Sequence, residues 1–245
     1  MDLRPVRLLI VVLLSMAGSG LLPDHAKAEG TLEKWFRILG LSASTAQQKG
    51  PGDEVEGGEV WVADVNGMAR IRWTSDGGYR SPVFLPNDRS VLALKGDSLV
   101  RIPAFGADPV PLFQVKGVRK LIGVPSESPE EALVLTEDAD GRTAPALVSL
   151  KTGKIEALPF DSNSPEERRL LRSLAGWDRG YGDATLTVDQ TREAGLGGTR
   201  AWSDVYYQRP GQEKRNVSQC ERVSCGQPSL SHDLRQVVFT KGRSR

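Results

Sequence analysis

The amino-acid sequence predicts an all-β protein, built from short antiparallel strands that recur along the chain. Three observations carry this. Apolar runs of three to four residues, bounded by Gly, Pro, Asp or Ser, recur from residue 59 onward: Val60–Val62, Val91–Leu94, Leu133–Leu135, Ala146–Val148 and Val237–Phe239. Two distant segments align without a gap, Pro82-Val-Phe-Leu-Pro-Asn-Asp-Arg89-Ser-Val91 with Pro228-Ser-Leu-Ser-His-Asp-Leu-Arg235-Gln-Val237. A second motif interleaves with the first, a strand followed within a few residues by glycine, as a hairpin with positive φ requires.

The chain opens differently. Arg4 and Arg7 precede an apolar stretch, Leu8 to Met16, which Gly18, Gly20 and Pro23 interrupt. Ala26-Lys27-Ala28 then offers a small-x-small cleavage site, so residues 1–28 read as a secretory signal peptide with Glu29 as the mature N-terminus. The apolar run falls short of the roughly 20 residues a membrane span needs, so no stable span is expected after cleavage. Cleavage brings the 32 basic and 31 acidic residues to 29 of each. A neutral chain lacks the basic footprint of a nucleic-acid binder.

Residues 29–58 are expected to hold a short amphipathic helix and a flexible linker. In Thr31-Leu-Glu-Lys-Trp-Phe-Arg-Ile-Leu-Gly40-Leu41, Leu32, Trp35, Phe36 and Leu39 share one helical face, Thr31 can cap it and Gly40 can end it. The helix can dock on its own domain, or Trp35 and Phe36 can contact a partner or a membrane surface. Residues 42–58 are small, polar and glycine-rich, the composition of a linker.

Residues 59–245 are expected to form the β domain. Hairpin motifs occur at Val60–Gly67, Leu99–Gly106, Ala146–Gly153 and Asp204–Gly211. Weaker copies of the strand motif occur at Ser128-Pro129-Glu130-Glu131 before Leu133, and at Ser164-Pro165-Glu166-Glu167 before Leu170. The spacing from Pro86 to Pro129 fits the roughly 40–45 residues of one four-stranded propeller blade. Between Pro165 and His232 the repeat breaks, and an insertion near Trp177–Gly198 or a different strand start near Tyr181 would account for it. The first unit is a hairpin motif with no strand motif before it, and the last is a strand motif with no hairpin after it. Closure of a small propeller of about four blades follows: Gln236–Lys241 supplies the innermost part of one blade, and Glu59–Val65 and Ala69–Trp73 its outer part. An incomplete, open arc is the rival.

Pro-x-aromatic-x-Pro-Asn-Asp-Arg-x-Val, followed by strand and hairpin, resembles the TolB-like, WD40-like β-propeller repeat, which reads apolar strand, Ser-Pro-Asp-Gly-Arg/Lys, apolar strand. The matching positions are Leu85-Pro86-Asn87-Asp88-Arg89 and Ser231-His232-Asp233-Leu234-Arg235. The turn glycine is replaced by Asp88 and by Leu234, so an irregular turn is expected. The resemblance covers 59–122 and 202–245 well and 123–201 poorly. It implies a periplasmic scaffold or an accessory propeller of a peptidase. Thr74-x-Asp76-x-Gly78 resembles the turn of sialidase-type Asp-box hairpins without its aromatic, since Ser81 stands there, and is read as a turn.

Few residues invite catalysis. Ser231-His232-Asp233 are sequence neighbours inside the repeat, whereas a triad needs side chains that converge in space. Asp138 and Asp140 form half of a calcium loop without its glutamate and are expected in a hairpin turn. His232 is the single histidine after residue 28, so no metal site is expected, and no catalytic residue or cofactor is assigned. Cys220 and Cys225 are the only cysteines, and in an oxidising compartment they are expected to form a disulfide. Trp177, Asp178, Arg179 and Tyr181 form the densest aromatic and charged cluster, at the repeat break, and are the candidate partner contacts, with packing in an irregular blade as the alternative.

The expected function is therefore that of an exported, monomeric interaction or scaffold module, more binding protein than enzyme. Its expected partner is another envelope or secreted protein. A carbohydrate-binding or glycan-processing propeller that uses carboxylates, and an accessory or truncated propeller of a peptidase-type protein, are the alternatives.

Overall fold

The computed structural model describes residues 31–42, 57–175, 179–195 and 198–242. The signal peptide, residues 43–56 of the expected linker, Trp177 and Asp178 lie outside them. Among the described residues, four antiparallel sheets make up the fold, with two α-helices, one before the first strand and one between the third and fourth sheets in chain order.

Sheet II is the simplest. Strands β4 (Tyr79–Phe84), β5 (Ser90–Lys95), β6 (Ser98–Pro103) and β7 (Val110–Gln114) pair in chain order, and sheet III repeats this with β8 (Val118–Gly123), β9 (Glu131–Glu137), β10 (Thr143–Ser149) and β11 (Ile155–Ala157). Sheet I is built from both ends of the chain, in the order β16 (Cys225–Leu230), β17 (Gln236–Lys241), β2 (Glu59–Asp64), β3 (Arg70–Arg72). The register joins Gln236 to Asp64 and Lys241 to Glu59. The expected pairing of the two ends is present, with one correction: β17 is the second strand, and the inner strand is β16. The aligned motif holds two strands, and its first half, Pro228 onward, is the inner one.

Sheet IV takes the order β1 (Leu41–Ser42), β12 (Arg179–Tyr181), β13 (Ala184–Gly195), β14 (Gly198–Gln208), β15 (Arg215–Asn216). Its first strand is made of Leu41, expected as the end of the helical element, and Ser42, expected as the first residue of the linker segment. Gly57 and Gly58, at the far end of that segment, are also held, since Gly58 exchanges backbone hydrogen bonds of 2.9 and 3.1 Å with Tyr79.

Central strands bury both faces, as their unbroken apolar runs require. Along β5, Val91 and Ala93 enter the core between sheets I and II, while Leu92 and Leu94 enter the core between II and III. Along β17, Val237 and Phe239 face sheet IV, and Val238 faces sheet II. A side chain of this size contributes about 1.5–3 kcal/mol on full burial, so two-sided strands provide most of the adhesion.

The far face of sheet III is covered by helix. Leu133 and Leu135 of β9 and Ile122 of β8 pack on Leu32, Trp35 and Phe36 of α1 (Thr31–Ile38) and Leu174 of α2 (Pro165–Ala175). Trp35 and Phe36, candidate partner contacts in the sequence, are thus core residues, 7% and 5% exposed. Their shared helical stripe has a ready hydrophobic face to meet, which sequence periodicity alone does not reveal. Gly40, at φ +63°, ends α1 as expected and delivers the chain into β1.

Helix α2 corrects a second expectation. Ser164-Pro165-Glu166-Glu167 is not a strand repeat. Ser164 Oγ accepts a hydrogen bond from the Glu167 N–H at 3.3 Å, and proline occupies the first helical position. Serine with glutamate three residues on is the sequence of a capping box, of which the Ser164 half is made while Glu167 accepts from the Asp161 N–H at 2.6 Å; Pro at the first helical position costs no hydrogen bond.

The turn irregularity is also corrected. Asp88 and Leu234 both take the left-handed conformation, at φ 51° and 58°. Asn87 Oδ1 accepts the Arg89 N–H at 3.0 Å, and Asp233 Oδ1 accepts the Arg235 N–H at 3.0 Å. The two turns share one geometry, with non-glycine residues where the repeat favours glycine. Inner strands β4 and β16 also share a bulge, at Ser81 and Gln227, both at positive φ and each followed by proline. Proline fits a bulge because its missing N–H is not needed there. The bulges face each other, and the Ser81 N–H donates to Gln227 Oε1 at 2.7 Å.

Candidate functional site

Two features of sheet IV stand out among the described residues. The first is a pocket at its seam with sheet I. The β2–β3 turn of sheet I approaches the end of β15, where Gly67 lies against the Asn216 carbonyl: a Cβ on Gly67 would sit 2.9 Å from it. Gln219 Nε2 donates to the Gly67 carbonyl at 3.2 Å and fixes this approach. Beside it opens a pocket of about 420 Å³ lined by Val65, Asn66, Tyr207, Arg209, Gln212, Glu213 and Arg215. Arg215 Nη1 donates to Asn66 Oδ1 at 2.9 Å and holds one wall. Arg209 sits 5.9 Å from the centre of the Tyr207 ring. Tyr207 also belongs to the core between the two sheets and is 4% exposed. Its hydroxyl and Arg209 Nε are buried without a hydrogen-bond partner among the described residues.

The second feature is the length of β13 and β14. These strands pair over eleven positions, from Thr185–Gln208 to Gly195–Gly198, about twice the length of the six-residue strands β4, β5, β16 and β17. Near the sheet, Leu186 and Val205 are buried. Farther out, Gln190 to Ala194 and Thr199 to Ala201 are exposed, including consecutive residues on opposite faces. The outer half of this hairpin is a two-stranded ribbon standing clear of the sheet. At its foot, Ser203 Oγ donates to the Cys225 carbonyl at 2.7 Å, and farther out Arg222 forms an ion pair with Glu193 at 3.3 Å.

A buried polar cluster supports both features. Asp204, 5% exposed, accepts from the Cys220 N–H at 2.7 Å and from Ser218 Oγ at 3.0 Å. Cys220 and Cys225 form a disulfide with Cα atoms 6.1 Å apart, as expected. Next to Asp204, burial pushes the Tyr206 phenol above its ordinary value, and the nearby Asp204 and Asp189 charges add to the shift. Lys214 pairs with Asp189 at 2.6 Å and lies 5.0 Å from the Tyr206 ring.

The other sequence candidates take structural places. Tyr181 is buried between sheets I and IV, 8% exposed, and its hydroxyl has no partner among the described residues. Arg179 lies in β12. Ser231 Oγ bonds Asp233 Oδ1 at 2.7 Å, whereas the His232 ring bonds Asp88 Oδ1 at 3.2 Å and the Val124 carbonyl at 2.8 Å. A carbonyl can only accept, so His232 Nε2 carries a proton, and the ring ties sheet I to the ends of strands in sheets II and III. Asp138 Oδ1 accepts from the Asp140 and Arg142 N–H groups, at 2.9 and 2.8 Å, and so shapes a hairpin turn. At the Thr74–Gly78 turn, the hydrogen bond from Lys95 holds the Asp76 carboxyl below its ordinary range.

The pocket residues were missed by sequence reasoning. Tyr207-Gln-Arg209-Pro-Gly211 marks a turn rich in contact side chains, but Asn66 reaches Arg215 across 149 residues of sequence. Among the described residues, no helix is long and apolar enough to cross a membrane.

No protein-family model and no curated protein matches the chain. Solved structures similar to it include a putative TolB from Agrobacterium tumefaciens, at 11% identity over 73% of this chain and 59% of that one, with a TM-score of 0.36. TolB from Acinetobacter baumannii is similar at 11% identity over 72% of this chain and 45% of that one, with a TM-score of 0.35. The β-propeller domain of the Trilobed protease from Pyrococcus furiosus is similar at 10% identity over 72% and 68%, with a TM-score of 0.29. The chain spans less than two thirds of the length of either TolB structure. At this degree of overlap the likenesses assign neither family nor activity.

Proposed function

We propose that this protein is an exported binding module: a small propeller, closed by its two ends, that holds another envelope or secreted protein through the β13–β14 ribbon. The ribbon is the observation that carries this reading. A lone two-stranded hairpin is marginal in water, because neither face buries apolar surface. Here its outer half rises from the sheet with the Arg222–Glu193 ion pair as a side-chain tie to the rest of the described residues, and it exposes Thr191, Arg192, Glu193 and Arg200. Unpaired strand edges recognise other chains by backbone hydrogen bonding, and arginine is a frequent contact anchor. The signal sequence and the Cys220–Cys225 disulfide support export, and a monomeric module leaves both ribbon edges available.

The test places a photo-crosslinking residue at Thr191 or Arg200 of the exported protein, with Lys116 as a distant control. A discrete adduct at the ribbon positions, absent at the control, is expected. Replacing residues 190–202 by a two-residue turn should then abolish the phenotype of the intact chain without loss of folding. No ribbon adduct, or a ribbonless chain that still functions, overturns the reading.

A further inference from the structure

We propose that the outer rim of sheets I and II is a membrane-docking surface, which inserts Met68 and Phe105 into the headgroup region of an anionic bilayer. Among the described residues, the exposed large apolar side chains are Met68, Ile71, Phe105 and Val110, all on strands or turns of these two sheets. Three of them sit together. Ile71 of β3 stands opposite Val62, a residue of the core between sheets I and II, and so lies on the rim of that core. Ala104 packs on the same core, and the tight turn Ala104–Gly106 lies against β3. Phe105 projects from that turn at 85% exposure, and Met68 from the β2–β3 turn at 87%.

Phe105 is costly to the fold as it stands. It takes the left-handed conformation, at φ 61° and ψ 33°, where glycine fits and a bulky side chain does not, and its ring buries almost nothing in return. Strain kept at an exposed aromatic points to a role outside folding. The two tips share one face. The Val65 N–H donates to the Arg235 carbonyl and the Ala104 N–H to the Arg89 carbonyl, each at 3.0 Å, while Asp88 holds the His232 N–H. The β2–β3, β4–β5, β6–β7 and β16–β17 turns therefore stand side by side. Protruding tips on separate turns would need matching pockets on a protein, whereas a bilayer surface yields to them. The exposed charged side chains around them are Arg70, Arg72, Arg89 and Arg101, against Asp108. The neighbouring acids Glu59, Asp64 and Asp88 are half-buried and turned to Arg72, the Met68 N–H and His232. Arginine beside exposed apolar tips matches lipid phosphates. The ribbon foot meets Cys225, at the end of β16 away from these turns, so a docked chain points its ribbon into solvent. The two surfaces are separate, and either reading can fail alone.

The test mixes the chain from Glu29 onward with vesicles of phosphatidylcholine alone, or of equal parts phosphatidylcholine and phosphatidylglycerol, and measures the bound fraction by sedimentation. Binding to the anionic vesicles, weakened by salt, is expected. Phe105→Gly should weaken it about tenfold while the melting temperature holds or rises, and Met68→Ser should weaken it severalfold. Arg70→Gln together with Arg72→Gln should also weaken it severalfold. An environment-sensitive dye on Phe105→Cys should shift to the blue on binding, and the same dye on Thr191→Cys of the ribbon should not. Absence of binding to the anionic vesicles, an F105G protein that binds like wild type, or a dye shift at Thr191 in place of Phe105 overturns the proposal. So does a crosslinker at Phe105 that captures an envelope protein while vesicles stay unbound, which would make the rim a protein contact.

Discussion

Sheets II and IV differ in how the chain fills the same architectural place. Sheet II is four strands in chain order, buried on both faces by sheets I and III. Sheet IV borrows a strand from the N-terminal segment, extends two strands into a ribbon and follows a helix. Sheet III meets sheet II directly, but its other face meets α1 and α2. Where the repeat motif is intact, sheet packs on sheet. Where it breaks, helix and ribbon take over and the exposed hairpin stands, whereas the pocket is lined by segments that match the repeat, at the seam of sheets I and IV. Regular packing leaves little surface unspent between sheets, so departures from the repeat and the outer rims and seams are where binding features can form.

The comparison breaks most severely at sheet I, the sheet shared between the two ends. Deleting residues 236–245 removes β17 and separates β16 from β2, while Val237, Val238 and Phe239 vanish from two cores. Complete loss of the cooperative thermal transition is expected. A truncated chain that melts like the intact one would show that the end-to-end pairing contributes nothing.

Next come equal truncations at the two kinds of seam. Leu92 is fully buried between sheets II and III, and Leu32 is fully buried between α1 and sheet III. Each Leu→Ala change should cost about 2–5 kcal/mol, measured by denaturant unfolding, if helix and sheet belong to one cooperative unit. If L32A leaves the main transition unchanged and only the α1 amides exchange faster, the helix is an appendage rather than a replacement for a sheet contact.

A smaller effect is expected where the bulges of sheets I and II meet. Gln227→Ala leaves the buried Ser81 N–H without the acceptor it holds at 2.7 Å. The cost should be about 1–3 kcal/mol, the penalty for a buried donor left unpaired. Gln227→Glu keeps an acceptor but brings a charge into the seam, and should be destabilising above the carboxyl pKa and milder in acid.

Much of this architecture is legible in the sequence, and the reasons are local. Strand runs bounded by turn residues, and the motif shared by Pro82–Val91 and Pro228–Val237, depend on neighbours within about ten positions. The helix at Thr31–Ile38 shows in its spacing, but its destination does not, because Leu133 and Leu135 lie a hundred residues away. Helix α2 was legible and misread: Ser164-Pro165-Glu166-Glu167 holds the signals of a capped helix start, and its likeness to Ser128-Pro129-Glu130-Glu131 masks them. The pocket was not legible. Its wall joins Val65 and Asn66 to Tyr207–Arg215, and only the closing of the chain ends brings them together.

The finest contrast is between the two copies of the repeated turn. Asp88 and Leu234 occupy equivalent positions at φ 51° and 58°, where a Cβ costs roughly 1–2 kcal/mol and aspartate is better tolerated than leucine. Their side chains do different things. Asp88 accepts hydrogen bonds from the His232 and Asp233 N–H groups, at 3.0 and 3.2 Å, and so ties sheet II to sheet I. Leu234 is partly buried and packs against the core between sheets I and IV. Alanine at either position loses these contacts and keeps the strained backbone, while glycine loses the same contacts and releases it. Glycine should therefore be more stable than alanine at both sites, by about 1 kcal/mol, the reverse of its usual order. Against wild type the sites should diverge. L234G should fall within about 1 kcal/mol of the parent, since relief offsets lost packing. D88G should lose about 1–3 kcal/mol, because two backbone donors lose a charged acceptor. Denaturation midpoints of the four variants decide it. If alanine equals or exceeds glycine at Leu234, the turn stores no strain there, and the two copies differ only in what their side chains touch.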